Sequence, residues 1–135
     1  MESPEDKMKN LIFYLGVSFL FTHELDAMTN NEWLVLPFLN LLSDELGQRV
    51  FVLLHIPLFA VLVALIASER ASVREKSQLA VSIFLFVHGV IHFAFMGHAN
   101  YAFESALSNI LIFGGAVCGL AYLGLWYFGR QKHTS

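Results

Sequence analysis

The chain has 135 residues, 56% of them hydrophobic and only 14% charged, with thirteen Phe and a formal net charge of −3. That mixture excludes an ordinary soluble domain, which could not hide so many large apolar side chains without exposing extensive patches. No basic stripe is present, so no nucleic-acid partner is expected, and the single Cys118 excludes an intramolecular disulfide.

The start, MESPEDKMKN, mixes acidic and basic residues, and no small-residue cleavage site follows the first apolar run. That run is therefore expected to be retained as a membrane span. A helix needs roughly 20 apolar residues to cross the hydrocarbon core, and four segments approach this: 11–28, 50–67, 78–97 and 105–128. The first carries FTHELDAM at its end, which sets His23, Glu24 and Asp26 directly behind apolar residues. Between the first and second spans, NNEWLVLPFLNLLSDELGQR is too short in its apolar part to cross. Residues 30–46 are expected to form an interfacial or re-entrant helix over that end of the bundle, with Pro37 early in it. It would serve as a lid or as a surface anchor. Glu32 at its start reads equally as a lid residue or a plain surface charge.

Pro57 in the second span removes one backbone hydrogen bond and is expected to kink the helix just beyond His55. In the fourth, Gly115 and Gly119 have the small-xxx-small spacing that lets helix backbones approach closely. Helix packing accounts for them, and oligomerisation is left open. The expected fold is an all-α, single-domain, integral membrane protein, an antiparallel four-helix bundle in contact with the lipid bilayer.

Seven of the eight basic residues fall on one side under this topology: Lys7, Lys9, Arg70, Arg74, Lys76, Arg130 and Lys132, against Arg49 alone. The positive-inside rule then puts both termini in the cytoplasm, in the inner (plasma) membrane. Counting ~1.5 Å of rise per residue from the opposite face, His23, His55 and His92 all lie roughly 8–9 Å deep, with His88 one turn deeper. His88 and His92 are i, i+4, and His23 and Asp26 are i, i+3, so each pair shares a helix face. Ser105, Ser108 and Asn109 reach the same level from the fourth span, with Glu104 at its mouth. His98 is roughly 240° around the helix from His92 and is expected in a cap or loop; His133 is expected in a solvated tail.

Ionisable groups at such a depth cost about 2.5–3.5 kcal/mol each and usually face the bundle interior, paired or ligated. Bundles also build metal sites from facing carboxylates and imidazoles, as in the Glu-x-x-His pattern of di-iron proteins; here the order is His-x-x-Asp. His23, Asp26, His88 and His92 are accordingly the candidate metal ligands, and zinc or non-haem iron suits such donors. Glu24 and His55 are the candidate acid–base residues, with His55 also placed to ligate. Each histidine has a plainer role open to it, as a hydrogen-bonded packing residue.

The His-x-x-acid motif after a first apolar helix, the aromatic segment, and VHGVIHFAFMGHANYAFESALSN further on together resemble the uncharacterised bacterial membrane proteins defined by an HxxEE motif and their short relatives. His23 matches the motif histidine and Asp26 its first acid, while Ala27 replaces the second. The resemblance implies a recurring polar site rather than a particular reaction. The function expected from the residues is a metal-dependent membrane enzyme acting on a lipid or other hydrophobic small molecule. Alternatives are a small transporter or proton-coupled carrier, a bundle binding haem between His55 and His88, and a structural accessory subunit.

Overall fold

The computed structural model describes residues 4–132. Four α-helices carry the fold: α1 (Pro4–Thr29), α2 (Asp44–Ile66), α3 (Ala71–Phe95) and α4 (Ala106–Lys132). All four are long and apolar enough to cross a membrane, and no strand forms among the described residues. Helices are what such a sequence must form, because in hydrocarbon each backbone N–H and C=O has to be satisfied within its own segment. α1 begins earlier than the apolar run, since its polar first turns also favour a helix. Glu5 and Asp6 lie at the positive end of its dipole, and Lys9 reaches Asp6 at 3.1 Å.

Consecutive helices are antiparallel, and α4 packs along both α1 and α3. α2 is peripheral: 11% of its most apolar window is buried, against 39% for α4. Two apolar clusters stack along the bundle. Phe13, Val17, Ile66 and Tyr122 fill one end, while Ala27, Trp33, Phe51, Tyr101, Phe103 and Ile112 fill the other.

Close approach of α3 and α4 depends on small residues. A Cβ on Gly119 would stand 2.5 Å from the backbone oxygen of Ser82, and one on Gly89 would stand 2.6 Å from the Cβ of Ala116. At Gly115 a Cβ would meet Leu85 and Phe19 at an ordinary 3.6 Å. The packing reading of the glycine pair therefore applies with force to Gly119.

The connection between α1 and α2 differs from expectation. Instead of one interfacial or re-entrant helix over 30–46, the chain makes two single 3₁₀ turns, Glu32–Leu34 and Leu39–Leu41, and α2 has already begun at Asp44. Backbone conformation explains the break. Asn31 (φ 52°) and Phe38 (φ 71°) both take positive φ, which stops helix propagation before each turn. Pro37 consequently lies in the bend between the turns, not inside a helix. α2 runs as a continuous helix through Pro57.

Gly119→Leu should force α3 and α4 apart and destabilise the bundle by about 1–3 kcal/mol, read as a lower thermal midpoint in detergent. Gly115→Ala should leave the midpoint unchanged.

Candidate metal centre

His23 sits two turns before the end of α1, fully buried, on the face turned toward α3. His88 and His92, one turn apart on α3, meet it there. The three ring centroids lie 4.5–4.9 Å from one another. The fourth member comes from outside the helices. Asn30 closes α1 by donating its backbone N–H to the Asp26 carbonyl, Asn31 adopts the left-handed conformation, and the reversed chain carries Glu32 back over the helix end. Donor atoms of His23, Glu32, His88 and His92 all lie within 4.8 Å of one another.

Within this group, His88 Nε2 and His92 Nε2 are 3.0 Å apart, and Glu32 reaches His23 Nε2 at 3.7 Å and His92 Nε2 at 3.8 Å. The last two distances exceed a hydrogen bond. Both ring nitrogens of His23 and Oε2 of Glu32 are buried with no hydrogen-bond partner among the described residues. An orphaned buried polar atom costs about 1–3 kcal/mol, so the protein alone leaves this cluster unsatisfied. A cation would take one His23 nitrogen and Glu32 Oε2, leaving only the second His23 nitrogen to be satisfied by water. Three imidazoles and a carboxylate are a donor set for zinc or non-haem iron, and metal bonds of about 2.0–2.2 Å would draw the donors in by something on the order of 0.5 Å.

Surrounding groups fit the same chemistry. The Tyr101 hydroxyl lies 3.3 Å from His92 Nδ1, where it can accept from Nδ1–H and keep the Nε2 lone pair turned to the centre. Phe103 packs its ring against His23 and His92, and Phe84 stacks on His88. Burial pushes the Glu32 carboxyl up to about 8, with the charges of Glu24 and Asp26 adding to the effect. Tyr101 is raised as well, by burial and then by Glu32.

The other sequence candidates take different places. Asp26 is not among the four clustered residues. From i, i+3 its side chain lies one turn nearer the helix end and about 60° off the His23 direction, and its buried Oδ2 has no hydrogen-bond partner among the described residues. Glu24 and His55 form a pair between α1 and α2, with Glu24 Oε2 2.8 Å from His55 Nε2. His55 Nδ1 donates to the Phe51 carbonyl at 2.7 Å, which leaves one proton to hold the Nε2 to Oε2 contact. His55 thus faces Glu24, not His88. Ser105, Ser108 and Asn109 cap α4 instead of joining the cluster: Ser108 N–H donates to Ser105 Oγ at 2.9 Å, and Asn109 Nδ2 to the Ser105 carbonyl at 2.9 Å. His98 is exposed in the loop after α3 and accepts from Asn100 N–H. His133 lies outside the described residues.

Glu32, expected as a lid residue or a plain surface charge, stands in the cluster instead, and Tyr101 and Phe103 had no assigned role. Glu32 carried a usable signal, because it follows Asn30 and Asn31 at a helix end, a place where chains reverse. Tyr101 and Phe103 carried none.

A model of a family of unknown function, DUF6713, matches residues 9–128. The chain belongs to that family. The matched span takes in all four clustered residues together with Glu24 and His55. No curated protein and no solved structure is significantly similar to the chain.

The raised Glu32 carboxyl fixes the sign of a pH effect in chelator-treated protein. A group held at about 8 when folded, against about 4.5 unfolded, contributes stability that is complete below pH ~4.5, declines as pH rises toward ~8, and is gone above it. Relative to Glu32→Gln, the wild type should therefore lose thermal stability between pH 5 and 8 and run parallel above pH 8, measured by melting in chelator.

Proposed function

We propose that the protein is a membrane metalloprotein in which His23, Glu32, His88 and His92 hold one zinc or non-haem iron ion, and that it acts on a lipid-like molecule. The observation carrying this reading is the set of three imidazoles and a carboxylate within 4.8 Å, with both His23 nitrogens and Glu32 Oε2 buried and without a hydrogen-bond partner among the described residues. A bound ion of this type would supply Lewis-acid activation of a water or, for iron, oxidation chemistry. In this reading the neutral rings of His23, His88 and His92 act as donors through nitrogen lone pairs. Tyr101 keeps His92 in the donating tautomer, and Glu32 adds the charge that offsets the cation. Glu24 and His55, in contact at 2.8 Å, accept and return protons beside the centre, a role that general acid–base catalysis requires. The likeness to the HxxEE-motif proteins, in which His23 and Asp26 stand as histidine and first acid, supports a polar site at this end of α1.

We infer further that both termini face the cytoplasm, that the membrane is the plasma membrane, and that the centre lies in the opposite half. The bias of Lys and Arg supports this.

Elemental analysis of protein purified in mild detergent without chelator should find about one zinc or iron per chain, the stoichiometry of one ion held by these four residues. His88→Ala combined with His92→Ala should abolish it while the bundle still inserts, because insertion follows apolar length. His98→Ala and Asp26→Asn should keep the metal. A wild type without metal, or a double variant that retains it in full, overturns the proposal. For orientation, a Cys at Ser43 should react with a membrane-impermeant thiol reagent in intact cells. Reaction only after the cytoplasm is opened reverses the topology.

A further inference from the structure

An apolar cleft of about 330 Å³ opens beside the cluster. Val35, Leu36 and Pro37 of the connection form its roof, Ile91 and Phe95 of α3 form its wall, and His92 closes its inner end. Tyr101 and Phe103 complete the back, and no charged side chain lines it. The wall residues decide what the mouth faces. Ile91 is 49% and Phe95 37% exposed on a helix long and apolar enough to cross the membrane, so the cleft opens sideways toward bilayer hydrocarbon.

Depth narrows the occupant. His92 precedes the end of α3 at Phe95 by three residues, or about 4.5 Å of helix axis. Headgroup layers occupy roughly 5–8 Å on each side of a ~30 Å hydrocarbon core, so His92 lies near the boundary where an amphiphile's chain joins its polar part. A volume of 330 Å³ is at the small end of ligand cavities, which run about 300–1,000 Å³. It accommodates one chain, not a bulky ring system. The lack of charged lining leaves an ionic head without a partner inside, so the head stays at the surface.

Resting on the metal-centre reading, we propose that this cleft seats a single hydrocarbon chain of a membrane lipid and brings the linkage between chain and headgroup to the His92 side of the cluster. The roof belongs to the same short connection that supplies Glu32, so one segment provides both a ligand and a wall of the chain seat. Substrate selection then rests on chain thickness at Leu36 and Ile91, and the metal on residues that the chain does not touch apart from His92.

The test uses full-length protein in phosphatidylcholine vesicles doped with a lipid carrying a photoreactive diazirine on one acyl chain. After irradiation, adducts are mapped by mass spectrometry and metal content is measured on the same samples. Labelling is expected on the peptides holding Leu36, Ile91 and Phe95, above that at Leu120, an exposed lipid-facing position on α4 outside the cleft. Ile91→Trp and, from the other wall, Leu36→Trp should each fill the cleft and lower its labelling to the Leu120 level while metal content stays unchanged. Should one variant fail to fold, the other decides. Cleft labelling no greater than at Leu120, or labelling indifferent to a folded filling variant, overturns the chain seat and leaves the metal centre standing. Labelling that responds to filling in a wild type without metal supports the seat and removes the metal centre.

Discussion

The close contact of α3 with α4 governs the rest of the molecule. Because Gly119 lets the α4 backbone lie against the Ser82 carbonyl, α4 can touch α3 on one side and α1 on the other. That wedge sets α1 and α3 at the separation where His23 meets His88 and His92. In hydrocarbon there is little hydrophobic drive between helices, so close packing of small residues supplies what apolar burial supplies in water. Histidine rings at one end of the bundle and glycines along its middle are thus parts of one arrangement.

Four spans and their antiparallel order were legible from apolar length, since length against bilayer thickness is a direct physical constraint. Convergence of His23, His88 and His92 was legible for a related reason, because helical rise converts sequence position into depth. The carboxylate was not. Depth and i, i+3 spacing favoured Asp26, but a side chain's direction at a helix end depends on how the chain leaves the helix, and Asn31 turns it so that Glu32 enters the group. The 30–46 segment misled for a similar reason. Its apolar residues suggested a surface helix, yet Trp33 is buried, with its indole N–H on Asp44 at 2.7 Å, and the backbone is broken into two short turns.

The proposed centre is composite. Its imidazoles are fixed by two rigid helices, while its carboxylate rides on a connection pinned by Trp33 against Phe51 and Gly47. Glu24 and His55 attach the peripheral helix α2 at the same level, beside the ring contact of Phe21 with Phe59. α1, α2, α3 and the turn at Glu32 therefore each bring an ionisable side chain into contact at one end of the bundle, while the opposite end is filled by Phe13, Val17, Ile66 and Tyr122. A protein that needed only to span the bilayer would gain nothing from such asymmetry.

His23, buried to 1% with neither ring nitrogen hydrogen-bonded among the described residues, is the largest of the few points of local frustration in this fold. A sequence optimised only for the stability of this backbone would exchange it for Leu or Phe at once, since either fills the space without a stranded donor. Frustration of this kind is what separates residues that serve the scaffold from residues the scaffold serves. Any redesign that hardens this bundle by polishing its interior would first erase the group that gives it chemistry.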